Sequence, residues 1–161
     1  LGAIGRRVAD LAKAFGCHVI YYSTSGNHTE DGYERVDFDT LLKTSDIVSV
    51  HAPLTEQTEH LMNAAAFEKM KNSAIFINVG RGPIVVEADL ADALEQDEIA
   101  AAGLDVLDAE PMREDNPLRR IKDSEKLVIT PHIAWAAVET RKRLMDIILH
   151  QVKELFEVKQ K

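Results

Sequence analysis

The chain has little cysteine and no long apolar run. Cys17 is the one cysteine among 161 residues, which excludes an internal disulfide, and the sequence has no short paired Cys/His spacing of the kind that a structural zinc site needs. Apolar stretches such as 99–104 are far shorter than the roughly 20 residues that cross a bilayer, and no basic-then-apolar signal segment opens the chain. We therefore expect a cytoplasmic protein with no metal site and no membrane partner.

Positive charge is also scarce. The sequence has 19 Lys and Arg residues against 27 Asp and Glu residues, a formal net charge of −8. This balance disfavours a protein that neutralises nucleic-acid phosphates, so no nucleic-acid partner is expected. The 45% hydrophobic content is sufficient for one buried core, and the length suits a single domain.

Two apolar periodicities alternate along the chain. Helical spacing predicts a first helix that ends at Gly16, and a β-favouring run predicts a strand over 17–22. Further helices are predicted over 38–43, 64–70, 86–94 and 138–157, and further strands over 47–50, 74–79, 101–106 and 127–130. Strands that are nearly all apolar and alternate with helices indicate a doubly wound parallel α/β sheet with helices on both faces.

The last predicted helix has an apolar stripe that includes Leu144, Ile148 and Val152. Such a stripe needs a partner surface, so we expect residues 138–161 to pack on a second chain or on another domain, with a homodimer as the assembly. The chain begins at Leu1, inside a glycine motif, and we expect it to be a fragment of a longer protein.

Polar residues follow the predicted strands, and ligands of such sheets bind beyond the carboxyl ends of the strands. Gly2-Ala3-Ile4-Gly5 opens the first helix and matches the last part of G-x-G-x-x-G, whose amides and helix dipole hold a pyrophosphate. Two glycines near a helix start also occur by chance or for close packing. The motif alone therefore leaves both interpretations open.

Arg81 lies between Gly80 and Gly82, directly after a predicted strand. The glycines let the backbone turn tightly, and a guanidinium fork suits two-point contact with a carboxylate. An ordinary surface arginine in a turn is the alternative. Asp105 closes the predicted strand over 101–106, Glu110 follows in its loop, and His132 comes after the last predicted strand, so all three belong to the same predicted edge of the sheet.

Together these motifs resemble those of the D-isomer-specific 2-hydroxyacid dehydrogenases. The resemblance covers nearly the whole chain in the family's order: Gly2-x-x-Gly5, His51-x-Pro53-Leu54-Thr55-x-x-Thr58, Asn78-Val79-Gly80-Arg81-Gly82, Gly103-Leu104-Asp105-Val106, Glu110-Pro111 and Pro131-His132-Ile133-Ala134. It implies that residues 1–161 form a partial NAD-binding domain of Rossmann-like fold, truncated before the first strand. It also implies that the substrate domain lies outside these residues.

The resemblance implies roles for single residues. Arg81 binds the substrate carboxylate, His132 is the acid/base, and Glu110 is the partner of the histidine. A carboxylate beside an imidazole favours its cationic form, which suits a proton donor to the oxygen of a 2-keto acid. The implied cofactor-binding residues are Gly2, Ala3, Ile4, Gly5, Ser23, Pro53, Thr58, Val79, Gly80, Arg81, Asp105 and His132.

Ser23 departs from the family pattern. It stands where an acidic residue usually holds the adenine ribose hydroxyls, which weakens the preference for NAD over NADP. No arginine follows immediately to bind a 2′-phosphate, and Glu30 and Asp31 oppose one if they approach. NAD is therefore the expected cofactor, with NADP as the alternative.

The expected activity is hydride transfer between a nicotinamide and a D-2-hydroxy acid or its 2-keto acid. The 131–135 run resembles glycerate dehydrogenases and hydroxypyruvate reductases, which favours glycerate/hydroxypyruvate or glyoxylate as substrate. The 161 residues alone are expected to be inactive. One alternative is a dinucleotide-sensing, corepressor-type binding module built on the same domain. A methyltransferase-like sheet gives no account of Arg81, Glu110 and His132 at one edge.

Overall fold

A computed structural model describes residues 1–26 and 32–158, which form two compact units, Leu1–Thr130 and Pro131–Lys161. The first unit holds all the strands and all the helices except the last. Its helices and strands are α1 (Ala3–Ala14), β1 (Ile20–Tyr21), β2 (Glu34–Arg35), α2 (Phe38–Thr44), β3 (Ile47–Val50), α3 (Ala64–Phe67), β4 (Ile75–Asn78), α4 (Glu87–Glu95), β5 (Ala101–Leu104) and β6 (Leu127–Ile129), with short 3₁₀ turns at Gly82–Ile84 and Pro117–Arg120. The second unit contains α5 (Val138–Val158).

Strands β3, β4, β5 and β6 form a parallel sheet in chain order. Val50, Asn78 and Leu104 are in register at its carboxyl edge, so the loops that follow them leave from one side. Strands β1 and β2 form a separate parallel pair. The predicted single sheet is thus in two parts, because no described strand joins the β1–β2 pair to β3.

The hydrophobic core lies on one face of the four-stranded sheet. Phe67 of α3 and Phe76 of β4 meet edge to face, with ring centroids 5.4 Å apart. Leu42 of α2 and Leu90 of α4 are fully buried in the same cluster. Burying an apolar side chain of this size stabilises a fold by about 1.5–3 kcal/mol, so helices α2, α3 and α4 are anchored to the sheet by this cluster.

The sheet also carries exposed apolar side chains outside this core. Ile47 and Ile75 are partners in the β3–β4 register, and both are exposed. Helix α1 contributes only Gly5 and Ala9 to the buried residues. Among the described residues, close packing therefore covers one face of the sheet, and the second expected layer of helices is much less tightly packed than the first.

Local sequence explains several helix ends. The Asp37 carboxylate accepts hydrogen bonds from the amide and the hydroxyl of Thr40, at 2.9 and 2.6 Å, and caps α2. The Thr40 hydroxyl bond and then the amide bond lower the pKa of Asp37. The Asn63 side chain caps α3 by accepting from the Ala66 amide. Gly16 has φ +90°, the left-handed conformation predicted for the end of α1.

Several predicted elements are shorter in the structure. The strand predicted over 17–22 is reduced to Ile20–Tyr21, because the Cys17 amide still donates to the Ala12 carbonyl in the turn that ends α1. The helix predicted over 64–70 ends at Phe67. Strands β4, β5 and β6 also end one or two residues early, which leaves Val79, Asp105 and Thr130 in loops.

The second unit consists of α5 and the turn before it. Helix α5 carries the predicted stripe, and its apolar side chains are exposed. That a second chain or another domain packs on this stripe stays a prediction. No helix of the described ranges is long and apolar enough to span a membrane.

Candidate active site

Hydrogen bonds tie the loops together at the carboxyl edge of the β3–β6 sheet. The Asp105 amide donates to the Asn78 carbonyl, and the Thr130 amide donates to the Leu104 carbonyl, each at 2.9 Å. The Thr130 hydroxyl donates to the Asp105 carboxylate at 2.5 Å. The hydrogen-bond pattern of the sheet therefore continues beyond the ends of the strands. These bonds fix the first residues of the loops that carry the predicted site residues.

Asn78 shapes the turn that presents Arg81. Its buried side chain donates to the Arg81 carbonyl and accepts from the Gly80 amide, both at 2.9 Å. The Arg81 guanidinium is exposed and donates one bond to the Gly80 carbonyl at 2.8 Å. The main chain of Arg81 is thus held from inside the sheet, while its guanidinium faces outward.

Gly82 brings two loops into backbone contact. A Cβ atom at Gly82 would overlap the main-chain carbonyl group of Leu107 and the main-chain nitrogen of Asp108. A glycine is thus required at this position for the two backbone segments to lie this close together. As a result, the Arg81 turn packs directly on the segment that leads to Glu110.

Glu110 lies three residues beyond Leu107. Its Oε1 accepts a hydrogen bond from the Leu107 amide at 3.0 Å. The side chain is exposed, and the peptide bond to Pro111 is cis. Arg81 and Glu110 are therefore attached to one part of the first unit.

His132 belongs to the second unit. Its φ is +53°, and the Trp135 indole N–H donates to its carbonyl at 2.9 Å. The residue is half-buried. The prediction that His132 meets Arg81 and Glu110 relates residues of two units, and it stays a prediction.

The first turn of α1 suits an anion. Gly2 is the N-cap residue, no side chain caps the helix there, and a Cβ atom at Gly2 would meet nothing within 4 Å. Ala3 and Ile4 follow in the exposed first turn, whose amides have no carbonyl partners within a helix. Gly5 is buried close to His51, so the start of α1 lies beside the loop that follows β3.

Residues 1–134 of the chain match the family model described as "D-isomer specific 2-hydroxyacid dehydrogenase, NAD binding domain". The chain belongs to this family. The resemblance inferred from the motifs is therefore confirmed, and the domain is an NAD-binding domain.

Relatives of the dehydrogenase domain include the hydroxypyruvate reductase of Blautia hydrogenotrophica, 43% identical over 155 residues, which cover 95% of this chain and 47% of that protein. The glyoxylate reductase of Aeropyrum pernix is 44% identical over 147 residues, 89% of this chain and 43% of that protein. The chain thus spans about half the length of these relatives. Both are named as enzymes, which gives the corepressor interpretation no support.

A solved structure of the D-lactate dehydrogenase of Aquifex aeolicus, complexed with NAD and lactic acid, superposes with a TM-score of 0.88. It is 28% identical and covers 97% of this chain and 51% of that chain. The Rossmann-like α/β class is thereby confirmed.

The dehydrogenase domain fits a dinucleotide at several predicted positions. Gly2 leaves space at the start of α1. A Cβ atom at Gly80 would lie 3.1 Å from the Ala52 carbonyl oxygen, so this glycine allows the loops after β3 and β4 to lie close together. Val79 is half-buried between Asn78 and Gly80. The start of α1 therefore suits the phosphates of NAD, and contact of Val79 and Gly80 with its ribose stays a prediction.

Two predicted cofactor ligands, Thr58 and Asp105, are buried in the structure. Thr58 is fully buried, donates to the Pro53 carbonyl at 2.7 Å and accepts from the Thr55 amide at 2.8 Å. Thr58 thus shapes the loop that exposes Pro53, and its contact with the cofactor stays a prediction. Asp105 is 5% exposed and is bonded to Thr130, so it has little surface for a ligand.

The end of β1 carries a feature that sequence reasoning missed. Ser23 Oγ lies 3.4 Å from Ser25 Oγ, and Arg35 of β2 donates to the Gly26 carbonyl at 2.9 Å. This arginine comes from the neighbouring strand, so a search of the residues that directly follow β1 does not find it. Glu30 and Asp31, expected to oppose a phosphate, lie outside the described residues.

His51 is a half-buried histidine without an assigned role. Its Nε2 lies 2.9 Å from Ser49 Oγ, and its Nδ1 is buried without a hydrogen-bond partner among the described residues. Burial lowers the pKa of His51 below its ordinary value of 6.5. The ring is therefore neutral at physiological pH. As for metals, the described part of the chain contains no group of three or more His, Cys, Asp or Glu side chains that could hold an ion.

Proposed function

We propose that this domain is the dinucleotide-binding half of an oxidoreductase that interconverts 2-keto acids and D-2-hydroxy acids. The observation that carries the proposal is the backbone contact of Gly82 with Leu107 and Asp108, because it joins the Arg81 turn to the Glu110 segment. Reduction of a 2-keto acid requires a group that binds the substrate carboxylate, here Arg81, and a carboxylate that supports the acid, here Glu110. Both are therefore attached to one part of the sheet edge.

Arg81 is the proposed ligand of the substrate carboxylate. Its guanidinium is exposed, while Asn78 holds its carbonyl and Gly82 fixes the direction of the chain after it. A guanidinium can form two parallel N–H···O bonds with a carboxylate, which fixes the orientation of a small substrate as well as binding it.

His132 is the proposed proton donor and acceptor. In reduction, the imidazolium gives its proton to the keto oxygen, and in oxidation the neutral ring takes the hydroxyl proton. Glu110 favours the charged ring by electrostatic attraction. Bound nicotinamide supplies the hydride in reduction and accepts it in oxidation. Proton and hydride together convert the keto group to a hydroxyl group.

The proposed substrates are hydroxypyruvate/glycerate or glyoxylate, in line with the names of the two relatives above. NAD is the expected cofactor. Arg35 provides a cation beside Gly26 at the end of β1, which supports a trial of NADPH as well. An Arg35→Ala variant should lose activity with NADPH and retain activity with NADH if the guanidinium binds the 2′-phosphate.

We also propose a homodimer in the cytoplasm. The stripe on α5 exposes Ile148 and Val152, and a second copy or a substrate domain would cover it. Cys17 is exposed and free, which suits a reducing compartment.

The test uses the two-domain enzyme, the polypeptide that we propose joins this chain to a substrate-binding domain. Oxidation of NADH is measured with hydroxypyruvate, glyoxylate and pyruvate. A His132→Ala variant should lose about 10²- to 10⁴-fold in turnover with little change in NADH affinity. Tight NADH binding without turnover of any 2-keto acid would instead favour a dinucleotide-sensing module.

A further inference from the structure

Glu87, the first residue of α4, joins both ends of the segment that contains Glu110. Its Oε1 accepts from the Asp108 amide at 2.8 Å, and its Oε2 accepts from Asn116 Nδ2 at 2.7 Å. Glu87 lies in the first turn of α4, where the helix dipole interacts favourably with a carboxylate. One side chain thus closes residues 108–116 into a loop.

The orientation of the Asn116 amide is set by a second bond. Its Oδ1 accepts from the Leu118 amide at 2.9 Å, and Leu118 is buried in the core. Rotating the amide by 180° would lose that bond. Asn116 must therefore present its NH₂ group to Glu87, and only an acceptor at position 87 satisfies it.

The clamped segment is the one that carries Glu110. Asp108 is adjacent to Leu107, whose amide donates to Glu110 Oε1 at 3.0 Å. The main chain of the same two residues packs against Gly82, beside Arg81. If the hydrogen bond from the Asp108 amide to Glu87 is lost, the adjacent Leu107 amide is therefore held less firmly, and so is the Glu110 carboxylate that it binds.

We propose that Glu87 is a positioning residue, which clamps the 108–116 segment at both ends and so holds Glu110 in place beside the Arg81 turn. The effect on catalysis rests on the proposed function of Glu110 as partner of His132. Glu87 itself touches neither substrate nor cofactor in this scheme. Glu87 acts by fixing the orientation of the Glu110 carboxylate.

The direct test is Glu87→Gln in the two-domain enzyme. A glutamine can still accept from one of the two partners, but its NH₂ group then faces the other donor. We expect kcat for 2-keto acid reduction to fall about tenfold, less than the 10²- to 10⁴-fold loss on removing the acid itself. The KM for NADH should stay unchanged, because the start of α1 and the 53–58 loop are untouched.

The pH profile separates positioning from simple loss of structure. A displaced Glu110 gives weaker support to the protonated imidazole, so the alkaline limb of the reductase profile should move to lower pH in Glu87→Gln. A variant that is only partly folded keeps the wild-type profile at reduced amplitude. A fall in activity with an unchanged limb would overturn the proposal.

A double variant restores the clamp with the groups exchanged. When Glu87→Gln is combined with Asn116→Asp, the glutamine amide donates to the new carboxylate and its carbonyl still accepts from the Asp108 amide. The new carboxylate still accepts from the Leu118 amide, and the net charge equals that of the wild type. We expect both kcat and the alkaline limb to return, and a double variant no better than Glu87→Gln would contradict the clamp.

Glu95→Gln is the matched control. It makes the same chemical change on the same helix, at an exposed carboxylate 3.7 Å from Arg120, and should leave kcat and the pH profile at wild-type values. Hydrogen exchange gives a readout without substrate. The Asp108 amide should exchange faster in Glu87→Ala, which removes both acceptors, and exchange as slow as in the wild type would refute the clamp even if no 2-keto acid is turned over.

Discussion

The buried Asn78 side chain donates a hydrogen bond to the main-chain carbonyl of Arg81 at 2.9 Å. The same amide accepts from Gly80, so it closes the turn from both sides. The residue proposed to bind substrate is thus positioned by a side chain at the end of β4, inside the fold. Substitutions at Asn78 should therefore alter substrate binding from a distance.

We expect Asn78→Asp to destabilise the domain and to weaken 2-keto acid binding. Aspartate cannot donate to the Arg81 carbonyl, and an unsatisfied buried group costs about 1–3 kcal/mol. Urea unfolding measures the loss, and the KM for the 2-keto acid should rise. The control is Asn72→Asp, which removes a similar amide-to-carbonyl bond to Asp97 at an exposed site and should cost little.

Gly82→Ala should be among the most damaging single-methyl substitutions in the domain. Its Cβ atom would meet main-chain atoms of Leu107 and Asp108, which cannot rotate away as a side chain can. Overpacking of this kind costs about 1–3 kcal/mol or more. Gly103→Ala on β5 is the matched control, because a Cβ atom there meets nothing within 4 Å. Equal melting temperatures for the two variants would disprove the close-approach role.

Arg81→Lys should raise the KM for the 2-keto acid in the two-domain enzyme by about 10- to 100-fold. An ammonium group loses one of two charge-assisted bonds, each worth about 1.5–3 kcal/mol, and a factor of ten corresponds to about 1.4 kcal/mol. Steady-state kinetics measure this. Arg119→Lys, at an exposed arginine bonded to the Arg113 carbonyl, should leave KM unchanged. An unaltered KM in Arg81→Lys would exclude two-point binding.

Acidification should destabilise the domain through His51. Burial lowers its pKa in the folded state below the ordinary value of 6.5, so the unfolded chain binds more protons between those two values. Stability from this group is present above pH 6.5 and is lost as the pH falls through that window. His51→Gln removes the group, so its melting temperature should fall less than that of the wild type between about pH 7.5 and 5.5. Parallel falls would rule out His51 as the cause.

Much of the fold could be predicted from apolar periodicity. Helix α4 and strand β3 match their predicted positions, because long or strongly apolar segments have a clear period. The β2 strand Glu34–Arg35 could not be predicted, since two charged residues give no such signal. Its pairing with β1 depends on a tertiary contact.

The site shows a similar division. The motif order pointed to Arg81 and Glu110, which the structure attaches to one part of the sheet edge. Glu87 could not be found in this way, because its two partners are 21 and 29 residues away in sequence. The burial of Thr58 could not be predicted for a related reason, since it is a property of the folded loop.

The Gly82 contact also limits how the enzyme can be redesigned. Main-chain atoms of Leu107 and Asp108 occupy the place that a Cβ atom at Gly82 would take, so no side chain fits between the two segments at this point. In the proposed enzyme, a longer or bulkier substrate would have to be accommodated by segments other than these two. Protein engineers who wish to change the substrate preference should therefore leave residues 80–82 and 107–108 as a fixed frame and place diversity elsewhere.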